Sequence, residues 1–155
     1  MEPDGGVTNP GAEPAGRNRD DRSYAHCETK SIVLNVPITD AYGHCCRFEK
    51  LPRFIKYLRR VDKVDDTHFC LTTFERSKQP GHILQIVLRV PERRIAWQAS
   101  CNECSQGVIL FEPLTEDRTE ITVKLRSTLE PATLAQLARE YLSNFKQFVE
   151  GQTLL

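Results

Sequence analysis

The sequence predicts a single α+β domain, in which an antiparallel sheet of short strands is closed by one long C-terminal helix. Three observations predict it. Seven short runs alternate apolar and polar residues and are separated by turn-forming residues. One stretch near the end repeats apolar side chains at i, i+3, i+4 and i+7. The length, 155 residues, suits one domain.

Met1–Arg22 precedes the first run. It holds four of the eight glycines and three of the nine prolines, and its only apolar residues are Met1, Val7, Ala12 and Ala15. Such a segment buries too little surface to offset its ordering entropy, so it is expected to be a disordered tail, leaving residues 23–155 as the domain. In the first strand Ile32, Leu34 and Val36 alternate with Ser31, Val33 and Asn35, and Pro37 ends it. Thr39 or Asp40 then caps a short helix running to about Phe48. Pro52 suits the first turn of a second helix carrying Phe54, Ile55, Tyr57 and Leu58.

A short strand at Val61–Val64 leads through an Asp65-Asp66 turn to Phe69, Leu71 and Thr73, which share one parity. After the Lys78-Gln79-Pro80-Gly81 turn, Leu84, Ile86, Leu88 and Val90 share a face with Gln85 and Arg89 opposite. Pro91-Glu92-Arg93 turns the chain again. Ile95, Trp97 and Ala99 follow, then a polar turn at 101–106, and then Gly107, Ile109 and Phe111 on one face. Ile121, Val123 and Leu125 alternate cleanly in the last strand. From Pro131 a helix carries Leu134, Leu137, Ala138, Tyr141, Leu142, Phe145, Phe148 and Val149 on one side. Over Ala132–Val149 it would span about 27 Å, and so must lie across the sheet.

Composition excludes several functions. Lys plus Arg and Asp plus Glu are both 21, so no basic excess favours nucleic acid. With the acidic tail discounted, the remainder carries only about +2, too little to imply an anionic partner. No apolar run approaches the roughly 18–20 residues that cross a bilayer, so no transmembrane segment is expected. Met1–Arg22 has no hydrophobic signal segment, which makes the cytoplasm the expected address and reduced thiols the expected state of the six cysteines. Cys101-Asn-Glu-Cys104 lacks a second ligand pair, and His44-Cys45-Cys46 does not have the spacing of one. The expectation is therefore no metal and no cofactor.

The order of elements and several local segments resemble the START-like helix-grip superfamily (SRPBCC), in its polyketide cyclase/dehydrase-like branch. Val36-Pro37 followed by Ala41-Tyr42 resembles that branch's first strand running into its first helix. Phe48-Glu49-Lys50-Leu51-Pro52-Arg53-Phe54 resembles its F-E-x-x-P-x-F segment, and Pro91 to Trp97 its P-x-x-R-I-x-W segment. Gly107–Phe111 and Arg118–Ile121 resemble its last two strands, and Phe145–Glu150 the end of its closing helix. The resemblance covers most of residues 30–150. It implies a curved antiparallel sheet wrapped around the long helix, two short helices after strand 1, and a cavity that binds lipids, polyketides or other apolar molecules. Two other roles known in that superfamily stay open: cyclase or dehydrase catalysis on a polyketide-like substrate, and protein interaction similar to the coenzyme-Q-binding and ribosome-associated members.

The residues that would face such a cavity follow from parity. They are His82, Leu84, Ile86, Trp97, Ile109, Phe111 and Val123 from the sheet, and Leu134, Leu137 and Tyr141 from the helix. Trp97, the only tryptophan, reads first as a large core residue, since aromatics dominate cores, and second as a pocket wall. His82 is the polar group expected to orient a ligand carbonyl or hydroxyl. No convergent carboxylate pair and no Ser, His and Asp set is placed for catalysis. The expected cavity is about 300–1,000 Å³. Parity gives no ligand identity and no oligomeric state.

Overall fold

A computed structural model describes residues 26–56, 58–73, 82–100 and 106–153. The expected tail at 1–22, Tyr57, the turn at 78–81 and the Cys101/Cys104 pair lie outside the described residues. Seven strands make one antiparallel sheet: β1 (His26–Leu34), β2 (Leu58–Lys63), β3 (His68–Thr73), β4 (His82–Val90), β5 (Arg94–Ala99), β6 (Gln106–Thr115) and β7 (Arg118–Ser127). Their order is β1-β7-β6-β5-β4-β3-β2, so β1 and β2 are the edges. Helix α1 (Ile38–Cys45) and a 3₁₀ segment (Phe48–Arg53) join β1 to β2, and helix α2 (Pro131–Thr153) closes the chain. This is the α+β helix-grip architecture that the sequence predicts.

Cross-strand partners point to the same face, and the register therefore fixes what lies on the concave side. Val123 pairs with Ile109 and Ile109 with Ile95, while Ile121 pairs with Phe111. All five share the face that α2 covers. The helix buries Leu134, Ala138, Leu142, Phe145 and Val149, each no more than 5% exposed. Each large side chain so buried contributes about 1.5–3 kcal/mol. The helix does not lie centrally. It packs mainly along β1 and secondarily along β7, leaving the concave side of β3–β6 to other elements.

Three local expectations are corrected. Pro37 itself is the N-cap of α1, its carbonyl accepting the Asp40 and Ala41 amides at 3.0 Å, and no side chain caps the helix. Thr39 and Asp40 lie two and three residues past it, inside the first turn. The second helix is only the 3₁₀ segment: Pro52 sits within it, where it lacks an amide to donate, and by Leu58 the chain is already in β2 rather than starting a strand at Val61. In β4 the shared face breaks down. The register slips between Ile86 and Leu88, so Leu88 pairs with Ala96 on the convex side, 39% exposed, and Arg89 pairs with Ile95 on the concave side. The extra residue of a β-bulge reverses the parity beyond it.

The turns obey ordinary chemistry. Glu92 adopts φ 60° in the Pro91-Glu92 turn, and the Arg93 amide donates to the Val90 carbonyl at 2.9 Å. In the β2–β3 turn Asp65 Oδ1 accepts the Thr67 and His68 amides at 2.9 and 2.8 Å. The Thr67 amide first, then the His68 imidazole, hold this exposed carboxyl at about 2.

Gly107 is required by Trp97, which pairs with it across β5 and β6. A Cβ on Gly107 would stand 2.1 Å from the indole Cζ2, so the ring lies where any side chain would be. Gly43, in α1, has nothing within 4 Å of the corresponding position. Gly107→Ala is therefore expected to destabilise the fold by about 1–3 kcal/mol through overpacking. Gly43→Ala is expected to stabilise it by about 0.5–1 kcal/mol through helix propensity. Urea unfolding midpoints at constant m-value check both, and equal effects at the two glycines would contradict the Trp97 packing.

Candidate functional site

The space that α2 leaves over β3–β6 is partly filled by the 3₁₀ segment and the residues after it. Phe48, Leu51, Phe54, Ile55 and Leu58 turn onto the concave face, and Phe48 packs on Phe69 with ring centroids 4.9 Å apart. Phe54 meets Phe145 of α2 at 5.1 Å, tying this segment to the helix. Between them a largely enclosed cavity of about 110 Å³ remains. Its sheet wall is Leu71, Leu84, Ile86, Ile95, Trp97, Ala99, Ile109, Ile121 and Val123. Its roof is Tyr141, Leu142 and Phe145 of α2, with Cys45 of α1 at one end. No charged side chain and no imidazole is among these residues. Burial of the Cys45 thiol, aided by its neighbour Cys46, pushes its pKa far up, so it behaves as a small apolar group.

The expected residues divide. Leu84, Ile86, Trp97, Ile109, Val123 and Tyr141 line the cavity. Leu134 is fully buried and Phe111 nearly so, but both serve the core outside it, Phe111 against the Tyr42 ring at 5.4 Å. Leu137 is half-buried and away from the cavity. His82 shares the concave face through its partner Leu71, but it lies half-buried at the start of β4 and does not line the cavity. Ile95, Ala99, Leu142 and Phe145 were within reach of the same parity and stripe arguments. Phe48, Leu51, Phe54 and Ile55 were not, because the pattern ends one helix at about Phe48 and starts another at Pro52, where the structure has a single 3₁₀ segment over Phe48–Arg53. The volume, about 110 Å³, is also well below the roughly 300–1,000 Å³ expected, and these four side chains are part of its wall.

Around the α1 end of the cavity the chemistry becomes polar. Burial, then a hydrogen bond with Cys46, pushes the Tyr42 hydroxyl up to about 12, while the Arg89 charge pulls the other way. Burial and the neighbouring Arg47 lower the His44 pKa against the opposing Asp40. Among the described residues His44 Nδ1 is buried with no hydrogen-bond partner, and its ring stands edge-on to Phe148 of α2 at 5.7 Å. Among the described residues no cluster of three or more His, Cys, Asp or Glu could hold a metal, and no helix is long and apolar enough to cross a membrane.

This geometry has relatives. The sequence is 27% identical over 123 residues to an uncharacterized 17.2 kDa protein of the melC2-rnhH intergenic region of Streptomyces lincolnensis, covering 79% of this chain and 81% of that one. No family model matches. Among solved structures, a START superfamily protein from Mycobacterium smegmatis superposes with a TM-score of 0.60 at 15% identity, over 82% of this chain and 96% of that one. The di-domain ARO/CYC StfQ of the steffimycin biosynthetic pathway superposes with a TM-score of 0.64 at 15% identity, over 86% of this chain and 54% of that longer one. The chain has the SRPBCC-type fold.

The roof is held by a polar pin at its C-terminal end. Lys146 Nζ donates to the Val33 carbonyl at 2.8 Å and to Glu150 Oε2 at 2.6 Å, and that same oxygen accepts the Asn35 amide at 2.8 Å. Burial raises the Glu150 pKa, but the Lys146 ammonium and the Asn35 amide outweigh it and hold the carboxyl below its ordinary 4.5. A depressed carboxyl stabilises the fold above its unfolded pKa, and the contribution is lost as pH falls through the folded value. Glu150→Gln should therefore cost about 0.5–1 kcal/mol at pH 7, with the gap to wild type closing as pH falls below about 4. Urea titrations at both pH values test this, and a gap that persists undiminished at pH 3 would contradict the pin.

Proposed function

We propose that this chain binds a small apolar molecule in the cavity between its sheet and α2, as a carrier or sensor. The observation that carries the reading is the lining. A largely enclosed space of about 110 Å³ is walled by aliphatic and aromatic side chains. Dry apolar cavities of roughly 150 Å³ accept a benzene-sized guest, so the fitting ligand is a single small ring or a short branched chain. Six of the ten residues expected to face the ligand (Leu84, Ile86, Trp97, Ile109, Val123 and Tyr141) would touch it, with Trp97 as a wall. Lipid transport in the usual sense, with a long acyl chain enclosed, is not favoured by this volume. His82, away from the lining, would not orient the ligand.

Catalysis within the cavity is the weaker reading. General acid–base chemistry needs a carboxylate, imidazole or amine within hydrogen-bond reach of the reacting group, and among the described residues the lining offers the Tyr141 hydroxyl, the Cys45 thiol and the Trp97 N–H. The StfQ likeness at 15% identity extends to the fold, and the side chains here do not add a cyclase site to it.

Toluene is a suitable probe. At ten times its dissociation constant it should stabilise the wild type by about 1.4 kcal/mol, read as a rise in Tm. Ala99→Leu adds three carbons to the wall and should abolish that rise while leaving the fold intact. A wild-type Tm that does not respond to toluene, or an equal response in the variant, would overturn the reading.

A further inference from the structure

The β4 bulge has placed one cation where the alternation does not. Arg89 pairs with Ile95, a cavity-lining residue, and so projects from the concave face. Its guanidinium carbon stands 5.6 Å from the centroid of the Phe48 ring, another lining residue. Its remaining polar contact is modest: Nη2 donates to the Asp66 carbonyl at 3.2 Å. Among the described residues no carboxylate forms an ion pair with it. The two acids of the neighbouring turn are committed elsewhere, Asp65 to the Thr67 and His68 amides and Asp66 to Lys63 Nζ at 3.2 Å. Arg89 is exposed and stands outside the lining, at the cavity's border. Resting on the face of a lining ring, with no carboxylate paired to it among the described residues, it is set up to receive an anion there. Bulges commonly serve to re-aim a side chain in this way.

We infer that the ligand is a small carboxylate whose apolar body fills the cavity and whose charged end pairs with Arg89 at the α1 end, beside Phe48 and Tyr42. The inference rests on the cavity being a ligand site and adds the chemical class of what enters it. A planar guanidinium offers paired N–H donors that match a carboxylate. The Tyr42 phenol, whose ring packs on Phe111 and whose hydroxyl is hydrogen-bonded with Cys46, stays protonated at neutral pH and so adds no negative charge to repel that group. The ligand class is an aryl- or short branched-alkyl carboxylic acid, in place of a neutral hydrocarbon or sterol.

The experiment compares 3-phenylpropionate with its neutral amide, 3-phenylpropionamide, by calorimetric titration of the full chain at pH 7. The wild type should bind the carboxylate about tenfold more tightly than the amide, as expected of one charge-assisted pair. Arg89→Met should remove this preference, with its urea unfolding midpoint near that of the wild type to report an intact fold. Arg89→Lys, keeping the charge without the fork, should retain part of the preference. Equal affinities in the wild type, or a preference that survives in Arg89→Met, would overturn the assignment of Arg89 while leaving apolar binding in place. Failure of the wild type to bind either compound would overturn the cavity reading, and this one with it.

Discussion

The structure depends on one constraint: the apolar stripe of α2 must be buried against a sheet wider than the helix. A helix with side chains is about 10–12 Å across, and seven strands at about 4.8 Å spacing span far more. The helix takes the β1 and β7 side, where Leu134, Ala138, Leu142, Phe145 and Val149 are buried and the Lys146–Glu150 pin fixes its end. The other half of the concave face then needs its own cover. The aromatic and aliphatic residues between α1 and β2 supply it, with Phe48 on Phe69 and Phe54 on Phe145. The cavity is the space left where these two covers meet.

That origin explains its chemistry. A space left over inside a core is bounded by core side chains, so it is apolar by construction and excludes water. Beyond the Tyr141, Cys45 and Trp97 side chains of the lining itself, the polar groups at its border are Tyr42 in α1 and Arg89 beyond the bulge. A fold of this kind sets where a ligand could sit, and the few polar groups at its border set what kind. The likeness to a START superfamily protein and to StfQ extends to the fold alone.

Much of the fold was legible because its strands have one face buried and one face wet. Ile121, Val123 and Leu125 alternate in the sequence and are 1%, 4% and 1% exposed in the structure. The α2 stripe was equally clear, since its five buried residues fall three or four apart. What could not be read has particular causes. The β4 bulge carries no glycine or proline to announce it, so Leu88 and Arg89 were assigned to the wrong faces. The residues after Pro52 are spaced as in a helix, yet they are buried by a 3₁₀ turn and a bend. His82 has the right parity but sits too near the end of its strand to reach the cavity, and parity does not encode position along the groove. The site was thus half legible: its sheet wall and part of its roof could be read, and the cover from the α1–β2 connection could not.

The central claim is that a dry, accommodating space exists beside Trp97 in the folded chain. A crystal of the protein pressurised with xenon tests it directly, because xenon binds apolar voids without needing a polar partner. The account predicts one well-occupied xenon in contact with Trp97, Ile95 and Leu142, with no ordered water in the unpressurised crystal at that position. A cavity closed by side-chain repacking, or one holding ordered water and no xenon, would contradict it.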